Sequence, residues 1–126
     1  MTNANANANP DHTVLIVEDE EDLRELMCDA LQMHGYRVVT AAEGSDALRK
    51  LEDIGRPCVI LLDLLMPGMN GWDFFDKVRE RPEFASVPVI VHSSASSRAP
   101  AGATRVLQKP MAFETLVSVV AEYCSN

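Results

Sequence analysis

The sequence predicts an α/β protein built on a doubly wound sheet of five parallel strands. Short apolar, β-branched segments alternate with amphipathic helical segments, and the 126 residues fit one domain with a single core. Right-handed crossovers would place helices on both faces of the sheet. Periodicity does not give the order of the strands. The expected strands cover residues 13–17, 36–41, 57–62, 87–92 and 104–107.

The helical segments each carry an apolar stripe that is expected to face the sheet. The first helix is expected to stop at Gly35, and the next two cover residues 45–54 and 71–81. In chain order the stripes consist of Leu23, Leu26, Met27, Ala30 and Leu31; of Leu48 and Leu51; of Trp72, Phe75 and Val78; and of Phe113, Leu116, Val117, Val120 and Ala121.

The connection between the fourth and fifth strands is too short for a full helix. It spans residues 94–103 and contains Pro100 and Gly102. A parallel crossover normally needs a dozen or more residues, usually including a helix. We therefore expect the helix at this position, the fourth of a regular alternation, to be truncated or missing.

Composition excludes some classes of partner. The net charge is −8, so direct binding of nucleic acid is not expected. No apolar stretch is long enough to span a membrane, and none is expected to bind one. Residues 1–12 form an Asn-Ala-rich tail that we expect to be disordered, which leaves residues 13–124 for the folded domain.

The three cysteines predict a cytoplasmic protein. Cys28, Cys58 and Cys124 lie far apart in apolar stretches and lack the spacing of metal ligands. We interpret them as core thiols in a reducing compartment. The N-terminus has no basic segment followed by an apolar one, so no secretory signal is expected.

Polar residues collect where the predicted strands end. Glu18 and Asp19 follow the first strand, Asp63 the third, Ser93 the fourth and Lys109 the fifth. In open α/β sheets this edge binds ligands. Converging carboxylates repel one another, and Mg²⁺ with its preference for oxygen ligands would relieve that repulsion. An acid beside a metal, a lysine and a hydroxyl suits nucleophilic attack by Asp63 on a phosphoryl group.

These segments resemble the receiver domain of bacterial two-component response regulators, particularly the single-domain chemotaxis regulators. The resemblance runs from about Thr13 to Tyr123. It is carried by Val17-Glu18-Asp19-Glu20, by Leu62-Asp63-Leu64-Leu65-Met66-Pro67-Gly68-Met69-Asn70-Gly71, by Pro88-Val89-Ile90-Val91-His92-Ser93 and by Lys109-Pro110. It implies the flavodoxin-like receiver fold, with strand order 2-1-3-4-5.

The resemblance also implies roles for individual residues. Asp63 would accept a phosphoryl group from a sensor histidine kinase or phosphotransfer protein, and the domain would then signal to an unknown downstream protein. Asp19, Asp63 and the Leu65 backbone carbonyl would bind Mg²⁺, with Glu18 acting through water.

Two further residues complete the implied site. Ser93 would contact the phosphoryl oxygen, and Lys109 would pair with Asp63 or its phosphoryl group. The Lys109-Pro110 bond would be cis. The only chemistry implied is the domain's own phosphoryl transfer and dephosphorylation, so the chain is not expected to be an enzyme in the usual sense.

Two features depart from the family pattern. Val106 stands where relatives have Tyr or Phe, and the 94–103 segment is about six residues shorter than usual; both lie on the surface used for output and dimerisation. Leu65 and Ala95 offer no hydrogen bond to an attacking water, which predicts slow autodephosphorylation.

Other interpretations stay open at this point. The altered output surface would suit a pseudo-receiver, a phosphorylation-independent protein-interaction module. An aspartyl-phosphate hydrolase of another α/β family ranks last, because Leu65 stands where a second acid is expected. His92, next to Ser93, is interpreted as a packed core histidine.

Overall fold

The structure, a computed structural model, describes residues 12–94 and 98–124. The expected disorder of the tail lies outside the described residues except for His12. Strands and helices alternate up to the fourth strand. In chain order the elements are β1 (Thr13–Val17), α1 (Glu21–Gln32), β2 (Arg37–Ala41), α2 (Gly44–Ile54), β3 (Val59–Leu62), α3 (Gly71–Glu80), β4 (Val89–Ser93), β5 (Arg105–Gln108) and α4 (Phe113–Cys124).

The five strands form one parallel sheet in the order β2-β1-β3-β4-β5, which confirms the expected topology. Every residue of β1, β3 and β4 is buried, as expected for central strands that are covered on both faces. Successive side chains point to opposite faces, so each face has its own apolar cluster. Helices α2 and α3 cover one cluster, and α1 and α4 cover the other.

The expected helix stripes are largely confirmed, with two corrections. Leu26 is 53% exposed and Ala121 is exposed, so neither belongs to the core. Phe74 and Val119 are buried instead, although neither was expected to be. A sheet covers a wider arc of a helix than one line of residues spaced three and four apart, so residues beside the expected stripe are buried as well.

The β4–β5 connection contains no α-helix among its described residues, 94 and 98–104. Pro100 accepts hydrogen bonds from the backbone N–H groups of Gly102 and Ala103, which makes a tight turn. The Trp72 indole N–H donates to the Arg98 carbonyl oxygen at 2.6 Å and ties this connection to α3. Residues 95–97 of the connection lie outside the described residues. Next to it, Val106 of edge strand β5 is 43% exposed.

The cysteines differ from the expected set of three thiols. Cys58 precedes β3 and Cys124 ends α4, and packing of α4 against the sheet brings them together as a disulfide with a Cα–Cα distance of 5.3 Å. Their separation of 66 residues gave no sign of this contact in the sequence. Cys28 alone is a free thiol. None of the described helices has the length and apolar character needed to cross a membrane.

Candidate functional site

The pairing of β1 with β3 places two acids side by side. Val17 is in register with Leu62, and these last residues of the two strands are followed by Glu18 and Asp63. The hydrogen bonding between the two strands continues at this point, since the Asp63 N–H donates to the Val17 carbonyl oxygen at 3.0 Å. Both residues are buried: Glu18 has no exposed surface, and 4% of the surface of Asp63 is exposed. The strand register therefore delivers two carboxylates to one edge of the sheet.

Asp19 completes a cluster of three carboxylates. One oxygen of each of Glu18, Asp19 and Asp63 lies within 4.8 Å of the others, and Asp19 is exposed to solvent. Three oxygen donors with one open side fit a hard divalent cation, because Mg²⁺ combines one or two carboxylates with water molecules. The structure thus brings together the three carboxylates expected at a magnesium site.

Lys109 is the cation that faces this cluster. Its Nζ donates to Glu18 Oε1 at 2.8 Å and lies 3.4 Å from Asp63 Oδ2. The following bond to Pro110 is cis, as expected. Burial lowers the pKa of Lys109, but its hydrogen bonds and ion pairs with Glu18 and Asp63 outweigh burial and raise the pKa overall. Lys109 therefore stays protonated at the site.

Glu18 is held from several sides. The Glu20 N–H donates to its Oε2 at 3.0 Å, while the Arg24 guanidinium donates to the backbone carbonyl of Glu18 at 2.9 Å. Burial raises the pKa of the Glu18 carboxyl, and the nearby charge of Asp63 adds to this. The hydrogen bond from Lys109 acts in the opposite direction without cancelling the effect of burial.

The loop after β3 fixes Asp63. The Leu65 N–H donates to Asp63 Oδ1 at 3.3 Å, and the Leu65 side chain is 51% exposed. Gly71 packs so closely that a Cβ built there lies 2.6 Å from the Asp63 carbonyl oxygen. Asn70 caps α3, its side chain accepting from the Asp73 N–H at 2.9 Å. A cap and a close glycine contact thus hold the loop.

Ser93 and His92 lie at the end of β4. Ser93 is fully buried, and its backbone carbonyl accepts from the Lys109 N–H at 3.4 Å. His92 is 1% exposed, and its Nε2 lies 3.7 Å from Glu18 Oε1. Arg24 and His92 contact the acidic cluster although sequence reasoning assigned neither to it. The one available signal was a histidine in a strand where an apolar residue was expected.

The sequence model of the response regulator receiver domain family matches residues 14–121, which is nearly the whole described chain. The chain belongs to the response regulator receiver family. Among solved structures, it superposes on the chemotaxis protein CheY4 of Vibrio cholerae with a TM-score of 0.79 and 32% identity, covering 89% of this chain and 98% of the other. The family and fold predictions are therefore confirmed.

Other receivers resemble the chain equally well. The receiver domain of a sensor histidine kinase from Pseudomonas aeruginosa, solved with a magnesium ion coordinated in its active site cleft, matches with a TM-score of 0.82 and 25% identity over 91% of this chain and 98% of the other. Protein PilG of the same species is 31% identical over 85% of this chain and 83% of its own length.

The first curated relatives are longer than this chain. Sensory transduction protein RegX3 of Mycolicibacterium smegmatis is 39% identical over 85 residues, which cover 68% of this chain and 36% of the relative. The match therefore spans about a third of the relative's length and concerns only part of that protein.

Proposed function

We propose that this receiver domain accepts a phosphoryl group on Asp63 in a Mg²⁺-dependent reaction with a phosphohistidine donor. The observation that carries the proposal is the convergence of three carboxylates with Lys109 at one edge of the sheet. Glu18 and Asp63 both belong to the cluster and face the lysine. Asp63 is proposed as the acceptor because it stands at the position that accepts the phosphoryl group in the receiver pattern. The domain would then signal to a partner through a change in conformation.

Asp63, Lys109 and Ser93 have different roles in the proposed transfer. An Asp63 oxygen attacks phosphorus, the bond to the donor's imidazole nitrogen breaks, and the imidazole leaves with the electron pair and takes up a proton. Lys109 shifts from Glu18 toward the phosphoryl oxygens and offsets their charge. The Ser93 hydroxyl donates to one of them. No enzymatic activity beyond this transfer and the later hydrolysis is proposed.

The residues that would hold Mg²⁺ are Asp19 and Asp63 directly, the Leu65 backbone carbonyl, and Glu18 through water. When bound, the ion neutralises charge on the transferring group. The fit rests on the donor chemistry described above, and the magnesium-bound receiver from Pseudomonas aeruginosa supports it.

The partners follow from the family. A sensor histidine kinase or phosphotransfer protein is proposed as the donor, and one curated relative is itself a sensor histidine kinase, TmoS of Ectopseudomonas mendocina, 42% identical over 81 residues. A cytoplasmic location is proposed with it, since two-component phosphotransfer uses cytoplasmic donors. The downstream partner is a protein that recognises the phosphorylated state.

The test is an intact-mass measurement after incubation with Mg²⁺ and acetyl phosphate. The wild type is expected to gain one phosphoryl group, and Asp63→Asn none, because the amide is a poor nucleophile. Asp73→Asn, which changes an exposed acid outside the cluster, is the matched control and should be labelled like the wild type. If the wild type takes no label and binds no Mg²⁺, the pseudo-receiver becomes the better description.

A further inference from the structure

His92 is a buried polar side chain that the proposed chemistry leaves without a role. Neither ring nitrogen has a hydrogen-bond partner within the described residues, although both are buried. Buried polar groups are nearly always paired, so an unpaired imidazole requires an explanation. Packing alone does not supply one, because an aliphatic residue would fill the same space without the cost of burying two nitrogens.

The position of His92 in the sheet directs it toward Glu18. Val91 is in register with Leu62, so His92 lies one step further on, beside Asp63. It also shares a sheet face with Glu18, because each follows by two residues a member of the same apolar cluster, Ile90 and Ile16. The Nε2 atom lies 3.7 Å from Glu18 Oε1. This distance is less than 1 Å longer than a normal hydrogen bond of about 3 Å.

The same Glu18 oxygen already accepts from Lys109, at 2.8 Å. Lys109 also lies 3.4 Å from Asp63 Oδ2 and is shared between the two acids. A group bound at Asp63 draws the lysine away from Glu18, and a fully buried carboxylate then loses a donor. His92 is next to that oxygen, and its ring carries an N–H that can be donated.

We propose that His92 is a positioning residue whose Nε2–H donates to Glu18 when Lys109 moves to Asp63, so that the Glu18 carboxylate stays oriented toward the metal site. The proposal rests on the proposed function, since it assigns Glu18 to Mg²⁺ binding. His92 touches neither the metal nor the phosphoryl group in this arrangement. It acts only through Glu18, as outer-shell partners of metal ligands do.

The first experiment measures the Mg²⁺ dissociation constant of the full chain by calorimetry with beryllofluoride present, because this phosphoryl analogue at Asp63 draws Lys109 away from Glu18. His92→Leu, which removes the donor, is expected to weaken binding about tenfold, the lower end of the range for outer-shell partners. His92→Gln places an amide N–H near the Nε2 position and is expected to recover most of the loss. His92→Asn reaches only the Nδ1 position and should bind as weakly as His92→Leu.

Two results would overturn the role of His92. One is binding by His92→Leu within twofold of the wild type; the other is equal binding by the Gln and Asn variants. Thermal unfolding checks each variant, and the Gln-Asn comparison still decides if His92→Leu does not fold. Failure of the wild type to bind Mg²⁺ would contradict the proposed function itself. This outcome differs from failure of the His92 proposal, in which the wild type binds Mg²⁺ and the variants bind it equally well.

A second measurement needs no metal. Nitrogen-15 NMR of the imidazole in the wild type is expected to show the neutral tautomer that carries its proton on Nε2, with slow exchange of that proton. A ring protonated on Nδ1 leaves no donor toward Glu18 and would contradict the proposal.

Discussion

Glu18 is the residue on which the electrostatics of the site depend. A carboxylate with no exposed surface loses its hydration, and this cost is offset by Lys109, by the Glu20 N–H and, for the backbone, by Arg24. Burial raises the pKa of Glu18 more than the hydrogen bond from Lys109 lowers it. The structure thus carries a buried acid that Lys109 compensates only in part.

Lys109→Met is expected to lower the free energy of unfolding at neutral pH. Removing one partner of a buried ion pair leaves an uncompensated charge, and partial exposure of Lys109 reduces the usual cost to about 2 kcal/mol. Urea unfolding measures the change. Arg105→Met is the matched control: it breaks the exposed pair with Glu122 and should cost less than about 1 kcal/mol. Equal losses in the two variants would show that burial of the Lys109 pair adds nothing.

Leu65 is expected to keep the phosphorylated state long-lived. Its side chain, two residues after Asp63, is half exposed and offers no hydrogen bond to an attacking water. Leu65→Asn is therefore expected to speed loss of the phosphoryl group by about tenfold, less than a full general base provides. Leu65→Met keeps an apolar side chain and should leave the rate unchanged. Decay of the phosphoryl adduct, followed by intact mass after removal of the donor, measures both; no acceleration in Leu65→Asn would rule out this explanation.

At the scale of single elements, the β3–α3 loop shows how tightly the backbone is fitted around Asp63. Gly71 begins α3 where the chain passes back over the end of β3, with its N–H donating to the Leu64 carbonyl oxygen at 3.0 Å. There is no room for a side chain at this point, because a Cβ meets the backbone of Asp63 and Leu64, each at 2.6 Å.

Gly71→Ala is accordingly expected to destabilise the fold and to displace Asp63. Overpacking against backbone that has no freedom to move costs about 1–3 kcal/mol. The measurements are the urea midpoint and the Mg²⁺ affinity, both of which should fall. Gly102→Ala is the control, since its added Cβ meets only the edge of the Phe75 ring at 3.3 Å. A Gly71→Ala protein that binds Mg²⁺ normally would show that the loop tolerates the shift.

The elements also show what the sequence could reveal. Apolar strands with acids at their ends predicted the five strands and the meeting of Glu18, Asp19 and Asp63 at one edge, because burial and strand direction are local properties of a sequence. The order of the strands came from the family resemblance instead. The sharing of Lys109 between Glu18 and Asp63 depends on side-chain positions from three strand ends. The exposure of Leu26 and the burial of Phe74 depend on how each helix is rotated against the sheet. Such features arise only when the elements pack.

On the scale of the whole molecule, the C-terminal helix is tied to the sheet at the end opposite the site. Cys58 lies just before β3 and Cys124 at the end of α4, so their disulfide closes a loop that includes β3, α3, β4, β5 and α4. The carboxylates lie at the other end of β3, after Leu62. The disulfide and the proposed site of phosphoryl transfer therefore lie at opposite ends of the same strand.

Reduction of this disulfide is expected to lower the free energy of unfolding by about 2–4 kcal/mol, because it releases a closed loop of this length in the unfolded chain. Urea unfolding with and without dithiothreitol measures the loss. Cys58→Ala should give a similar loss and make the protein insensitive to the reductant. Cys28→Ala, which changes the free thiol, should retain the sensitivity. A wild type whose unfolding is unaffected by reductant would show that the disulfide does not form in solution.

Disulfides are rare in a reducing cytosol, so the stability measured with reductant is the one relevant to the proposed location. Phosphoryl transfer to Asp63 should be retained in the reduced protein, because the site is at the other end of the sheet.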